Sequence, residues 1–204
     1  MSGVDAADRG VVADLDGASN VLVLSSAVDS TARASYFDAL LPSRPASIDL
    51  LAIDYRRTPD ACLDEWNRHL GATPDRSTLV ITDETPRSAA ATVSPQYGSN
   101  TVVTVENPAD LTGIGITMSE YLTEHGGADT LVSFDSLTAL LQYVELQRAF
   151  RFLHVITSRI RTVDAFAHYH MDPDAHDRKP IATLASLFDA VAEFDDGEWS
   201  VQTR

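Results

Sequence analysis

From Asn20 almost to the end of the chain, short unbroken apolar runs alternate with longer stretches in which apolar positions recur every three or four residues. The runs predict strands buried on both faces, and the longer stretches predict helices packed across them. Strands are expected at Asn20–Ser25, Ile48–Tyr55, Thr78–Thr82, Thr101–Val105, Thr130–Phe134, Ala165–His170 and Trp199–Gln202. A helix over Thr31–Leu41 carries Tyr36, Phe37, Leu40 and Leu41 at helical spacing and ends at Pro42 and Pro45. A second, Asp60–Leu70, opens behind Thr58 as cap and Pro59 at the first helical position, and stops at Gly71. Leu111–His125 follows, stopped by Gly126 and Gly127, then helices at Leu137–Tyr143, Gln147–Arg161 and Pro180–Ala192. Glu84–Asn100, rich in Pro, Ser, Ala and Gly, reads as a loop, and residues 1–16 as a loose polar lead-in. This alternation predicts one three-layer α/β domain over residues 17–204, a mostly parallel sheet with helices on both faces.

Charge narrows the partners. The chain has 30 acidic and 15 basic residues, a net charge of −15, and Lys179 is its only lysine. Self-repulsion of this size strains a compact state and is relieved by salt, since the Debye length falls to about 3 Å at 1 M. An Asp-rich, nearly lysine-free composition is similar to that of proteins from salt-in halophilic archaea. Nonspecific nucleic-acid binding is disfavoured because phosphate contacts need clustered bases; the local group Arg148, Arg151, Arg159 and Arg161 is the exception. Cys62 is alone, so no intrachain disulfide forms. No apolar window approaches the eighteen or so residues of a membrane span, and the acidic start is unlike a signal peptide; a soluble, cytoplasmic protein is expected.

Three segments carry the chemistry: VLVLSS at the first strand, AIDYRRTPDACLDEW at the second, and TLVSFDSLTALL at the strand ending in Asp135-Ser136. In this order, with LFDAVAEF and WSVQ closing the chain, they resemble the RecA superfamily, above all its KaiC-like ATPases, over about Gly17 to Gln202. The chain is more closely similar to an uncharacterised haloarchaeal family related to these ATPases, some of whose members carry signal-transducer-like names. The resemblance implies a RecA/KaiC-like fold with a phosphate loop after the first strand, paired glutamates after the second, and Asp135 holding magnesium through water.

The chain departs from that pattern where hydrolysis needs it. A phosphate loop, G-x-x-x-x-G-K-[ST], wraps phosphates with backbone N–H groups that glycine frees and neutralises them with lysine. Here the loop reads Ser25-Ser26-Ala27-Val28-Asp29-Ser30-Thr31-Ala32-Arg33, without glycine or lysine. Asp29 would repel a phosphate by about 3 kcal/mol at 5 Å and an effective dielectric near 20; read structurally, it belongs to a turn capping the helix at Thr31. Arg33 is the one stand-in for the lysine. In place of the paired glutamates stand Arg56 and Arg57, and a guanidinium cannot act as a general base. These two arginines either bind an anion or an acidic partner, or are solvated surface groups. Asp135 and Ser136 either face a ligand or cap the next helix.

The candidate ligand-facing residues are therefore Ser26, Asp29, Arg56, Arg57, Asp135 and Ser136, with no catalytic set. His168 and His170, on one side of a strand, with His176 in the following loop, are weak candidates for zinc or another transition metal. Cys62, near Trp66 on a helix, reads as a buried structural thiol. In the helix Gln147–Arg161, the apolar stripe Phe150, Leu153, Ile156 and Ile160 faces the core or a partner's groove. No cofactor is expected. The functional expectation is a non-hydrolysing binding or regulatory module acting through a protein partner or self-association, with a nucleotide sensor or weak ATPase using ATP and magnesium as the alternative.

Overall fold

The computed structural model describes residues 15, 17–27, 29–40, 48–70, 74, 76–82, 93–97 and 100–204. Among these, nine strands form one sheet: β1 (Asn20–Leu24), β2 (Asp49–Asp54), β3 (Arg76–Thr82), β4 (Val93–Tyr97), β5 (Asn100–Val105), β6 (Thr130–Asp135), β7 (Phe166–Met171), β8 (Ala190–Asp195) and β9 (Glu198–Thr203). Their spatial order is β4, β5, β3, β2, β6, β7, β1, β8, β9. Pairing is parallel from β5 across to β8, and an antiparallel strand closes each end of the sheet, β4 on β5 and β9 on β8.

Alternation along each strand sorts side chains into two cores. Val21 and Val23 of β1, Leu50 and Ala52 of β2 and Leu131 of β6 pack with Tyr36, Phe37 and Leu40 of α1 (Ser30–Leu40) and with Cys62, Leu63 and Trp66 of α2 (Pro59–Leu70). Their neighbours Leu22, Leu51, Ile53, Val132 and Phe134 face the other way. They meet α3 (Leu111–His125), α4 (Leu137–Tyr143), α5 (Leu146–Thr162) and α6 (Arg178–Ala185), with Ile114, Met118, Leu140, Leu153, Ile156, Ile160 and Leu184 buried. The apolar stripe of α5 thus faces the core. No described helix is long and apolar enough to cross a membrane.

Three expectations change. The helix expected over Pro180–Ala192 ends at Ala185, and Ala190–Asp195 is the strand β8 between β1 and β9. Its apolar residues also fit helical spacing, but pairing with β1 on one side and β9 on the other satisfies its backbone, and Asp196 and Gly197, at φ 49° and 89°, turn the chain into the hairpin. The expected loop Glu84–Asn100 contains β4, antiparallel to β5, while residues 83–92 and 98–99 lie outside the described residues. Leu15, placed in the lead-in, is buried against the α1–α2 core. The rest of that lead-in, residues 1–14 and 16, and the stop signals Pro42, Pro45 and Gly71 also lie outside the described residues.

Gly126 ends α3 where a side chain has no room. A Cβ there would stand 2.4 Å from the Leu122 carbonyl oxygen and 2.8 Å from Val163 Cβ. Gly126→Ala is expected to destabilise the fold by about 1–3 kcal/mol through overpacking, read from urea melts. An unchanged midpoint would show that the α3 terminus and the Val163 turn separate freely.

Candidate functional site

The carboxyl ends of four neighbouring strands, β2, β6, β7 and β1, open into a cleft of about 480 Å³. This is the edge at which open α/β sheets bind ligands. Register builds its floor: Asp54, Asp135 and His170 are direct partners across β2, β6 and β7 and share the face covered by α1 and α2.

Two carboxylates side by side on a sheet repel each other, and a guanidinium spans them. Arg57 donates from Nε to Asp54 Oδ2 at 2.6 Å, from Nη2 to Asp135, and from Nη1 to Glu65 of α2. Arg33 of α1 grips Glu65 with Nε and Nη2, at 2.8 and 2.5 Å, and its Nη1 stands 3.1 Å from Asp135 Oδ2. Arg56 donates from Nη2 to Asp135 Oδ1 at 3.0 Å. Asp54 Oδ1 also accepts the backbone N–H groups of Arg56 and Arg57, both at 2.8 Å, which fixes the turn after β2. Three guanidiniums, Arg33, Arg56 and Arg57, thus pair with three carboxylates, Asp54, Glu65 and Asp135, in one cluster.

Two expectations are corrected here. Arg57 is no solvated surface group: its side chain is 22% exposed and meets three carboxylates, and even Arg56, at 46%, is anchored on Asp135. Asp135 does not cap the next helix. Ser136 alone does, its Oγ accepting the Ala139 N–H, while the carboxylate one residue earlier turns to the arginines. The peptide bond between the two residues is cis.

The loop after β1 is closed by carboxylates of its own. Asp29 Oδ1 accepts the N–H groups of Thr31 and Ala32 at 2.8 and 3.0 Å, capping α1. Asp172, just past β7, accepts the Ala27 N–H at 3.0 Å. Ser26 lines the cleft, its carbonyl taken by the Asp29 N–H. Arg33 is committed to Glu65 and Asp135.

Electrostatics follows from this packing. Burial opposes the charge on Asp135, but the guanidiniums of Arg33, Arg57 and Arg56 outweigh it and hold the carboxyl below the usual carboxylate range. Burial likewise opposes the charge on Glu65, and its hydrogen bonds from Arg33 prevail and lower its pKa. His170 is held neutral, first by burial and then by Arg33, against the pull of Asp135. His170 Nε2 has no hydrogen-bond partner among the described residues. Behind it, the Tyr36 hydroxyl pairs with His168 Nδ1, and the Tyr36 ring meets both imidazoles edge-on, at 5.2 and 4.6 Å. Burial drives His168 down to about 3, with a Leu40 backbone contact opposing. Cys62 is buried, and that burial pushes its thiol up to about 12, far from a reactive thiolate.

The three histidines do not converge. His176 sits beyond β7 with Nε2 3.2 Å from Thr138 Oγ1, whereas His168 is enclosed with Tyr36. Among the described residues no three His, Cys, Asp or Glu side chains form a group able to hold a metal.

Sequence reasoning missed Asp54, Glu65 and Tyr36, while the loop of Asp172 was expected on the ligand-binding edge. Only Asp54 left a signal, two and three residues before the arginine pair it orders; Tyr36 and Glu65 arrive from α1 and α2 through tertiary register.

No curated protein matches the chain. A solved structure described as a structural study of project PH0250 from Pyrococcus horikoshii OT3 is similar, with a TM-score of 0.56 over 91% of this chain and 86% of that chain at 10% identity. That likeness shows a shared fold and nothing of activity. A family described as of unknown function, DUF7504, matches residues 18–194, and the chain belongs to it.

Proposed function

We propose that this domain is a RecA/KaiC-like module that does not hydrolyse ATP and acts by binding other protein, in signalling or transcriptional control within a halophilic archaeal cytoplasm. One observation carries the reading: the groups that would meet a nucleotide are already bound to groups of the chain itself. The carboxylate aligned with the magnesium-binding position, Asp135, is held by Arg33, Arg56 and Arg57. Amide donors of the loop aligned with the phosphate loop are held by Asp29 and Asp172. A triphosphate entering here would meet those carboxylates, and magnesium would meet guanidiniums. Neither the glycines nor the paired glutamates of the hydrolytic machinery are present.

The alternative, a nucleotide sensor or weak ATPase, draws on the cleft's volume and on the half-exposed Arg56. Purified protein in molar salt with ATP and magnesium is expected to release phosphate no faster than the protein-free blank. Release above the blank that disappears in Asp135→Asn, with the fold intact by circular dichroism, overturns the reading. Calorimetry with ATP and ADP separates the sensor: micromolar binding without turnover favours it over the association module.

A further inference from the structure

Helix α5 carries a charge opposite to that of the chain around it. It holds Arg148, Arg151, Arg159 and Arg161, four of the 15 Lys and Arg, and none of the 30 Asp and Glu. Arg161 is bound to Asp189, and Arg159 reaches the Ser119 carbonyl and Thr123 hydroxyl of α3. Arg148 and Arg151 are exposed, and among the described residues neither guanidinium has a hydrogen-bond or ion-pair partner. Spacings of three and four place Arg148, Arg151 and Val155 on one stripe. Val155 is 63% exposed, and Ile116 on the adjoining α3 is 53% exposed. The outer face of α5 thus carries two guanidiniums followed by one exposed valine.

Its complement lies on the same chain. The β8–β9 hairpin ends in Phe194-Asp195-Asp196-Gly197-Glu198-Trp199, with all three acids exposed. The two aromatic rings pair across the strands at 5.0 Å, both partly exposed. A tip of three carboxylates flanked by aromatic rings matches a stripe of two arginines and a valine. Carboxylate takes guanidinium through charge-assisted bonds, and the exposed part of Phe194 supplies apolar surface for Val155, Trp199 being packed on the α1–α2 core with its Nε1 donating to Ser35 Oγ at 2.9 Å. Among the described residues no ion pair joins tip and helix within one chain. An exposed valine in the stripe and a net charge of −15 disfavour a polyanion such as nucleic acid as the occupant.

We propose that α5 docks the β8–β9 tip of a second copy of this chain. The contact is head-to-tail, so each copy offers a helix to one neighbour and a tip to the next, and repetition closes a ring or extends a filament. This inference rests on the reading of the domain as an association module and names one surface of it.

The test is sedimentation velocity of the full chain over a concentration series, in low and molar KCl. The variants are Arg148→Glu with Arg151→Glu, Asp195→Arg with Asp196→Arg, and all four together, each checked for native fold by circular dichroism. The wild-type mass is expected to rise with concentration, and less so in molar KCl. Each charge reversal lowers the association constant by about ten-fold or more. The fourfold variant recovers association, and mixing the two half-reversed proteins restores it as an assembly in which the two alternate. A wild type that stays monomeric throughout overturns the inference, as does one that binds duplex DNA through these arginines without self-associating. Association that persists unchanged in the reversed variants overturns this surface while leaving the module reading intact; that reading falls to ATP hydrolysis instead.

Discussion

Between pH 7 and pH 5 the protein is expected to lose about 2 kcal/mol of stability at fixed molar salt from His168 alone, with His170 adding to the loss in the same direction. His168 and His170 are buried and held neutral, His168 by burial that takes it to about 3, and His170 by burial together with the Arg33 charge. The unfolded chain binds protons at both from about pH 6.5 downward, while the folded chain refuses them. Stability is therefore complete above that value and falls as pH drops toward the folded-state values, by about 1.4 kcal/mol per pH unit for His168, with His170 acting in the same direction. Tyr36 faces both rings, and Arg33, Arg57 and Asp135 face His170, so a proton placed on His170 would meet two cations and one anion. Urea melts at pH 7.5, 6.5, 5.5 and 5.0 give the slope directly. His168→Gln, judged by its slope rather than its midpoint, is expected to lower it by about 1.4 kcal/mol per pH unit. A flat profile across this range, for a protein folded at all four values, would show that the imidazoles take up protons without opening the core.

Asp135→Ala is expected to destabilise the fold by about 3–5 kcal/mol, the cost of breaking a buried ionic cluster by removing one partner. The Asp135 side chain is 3% exposed and receives three guanidiniums. Its removal leaves Arg33 and Arg57 facing each other with fewer carboxylates than charges, and water cannot fully replace the lost oxygens at that depth. Arg56→Ala provides the contrast. That side chain is 46% exposed with one carboxylate partner, so its loss is expected to cost no more than about 1 kcal/mol. Acid adds a second signature: the Asp135 carboxyl, held below the usual carboxylate range, contributes stability that is complete above about 3.9 and disappears as pH falls through the folded value. Equal midpoints for Asp135→Ala and wild type would refute a structural role for the cluster and return Asp135 to the ligand-facing alternative.

The layers of the fold were legible because period-two and period-three-to-four patterns are local properties. Leu111–His125 and Leu137–Tyr143 match the expected helices residue for residue. The segment after Ala185 was not, since AVAEFD suits either period and only a free edge on β1, waiting for a strand, decides between them. The site was half legible. Segment order marked Asp135, Arg56 and Arg57 as one neighbourhood, and the absent glycines and lysine were visible by inspection. That the arginines point into the cleft required register: Asp54 opposite Asp135, Asp135 opposite His170, and α1 and α2 laid across that face to bring Arg33 and Glu65. Pairings between residues 30 to 80 positions apart leave no local pattern to read.

The carboxylates on the β1–α1 loop and the guanidiniums on Asp135 are attached to the same backbone as the groups they satisfy. A dissolved anion or cation must displace tethered partners to reach either group. On the association reading, the resting shape of the domain would be uncoupled from the nucleotide pool, and a signal would reach it through contact with another macromolecule.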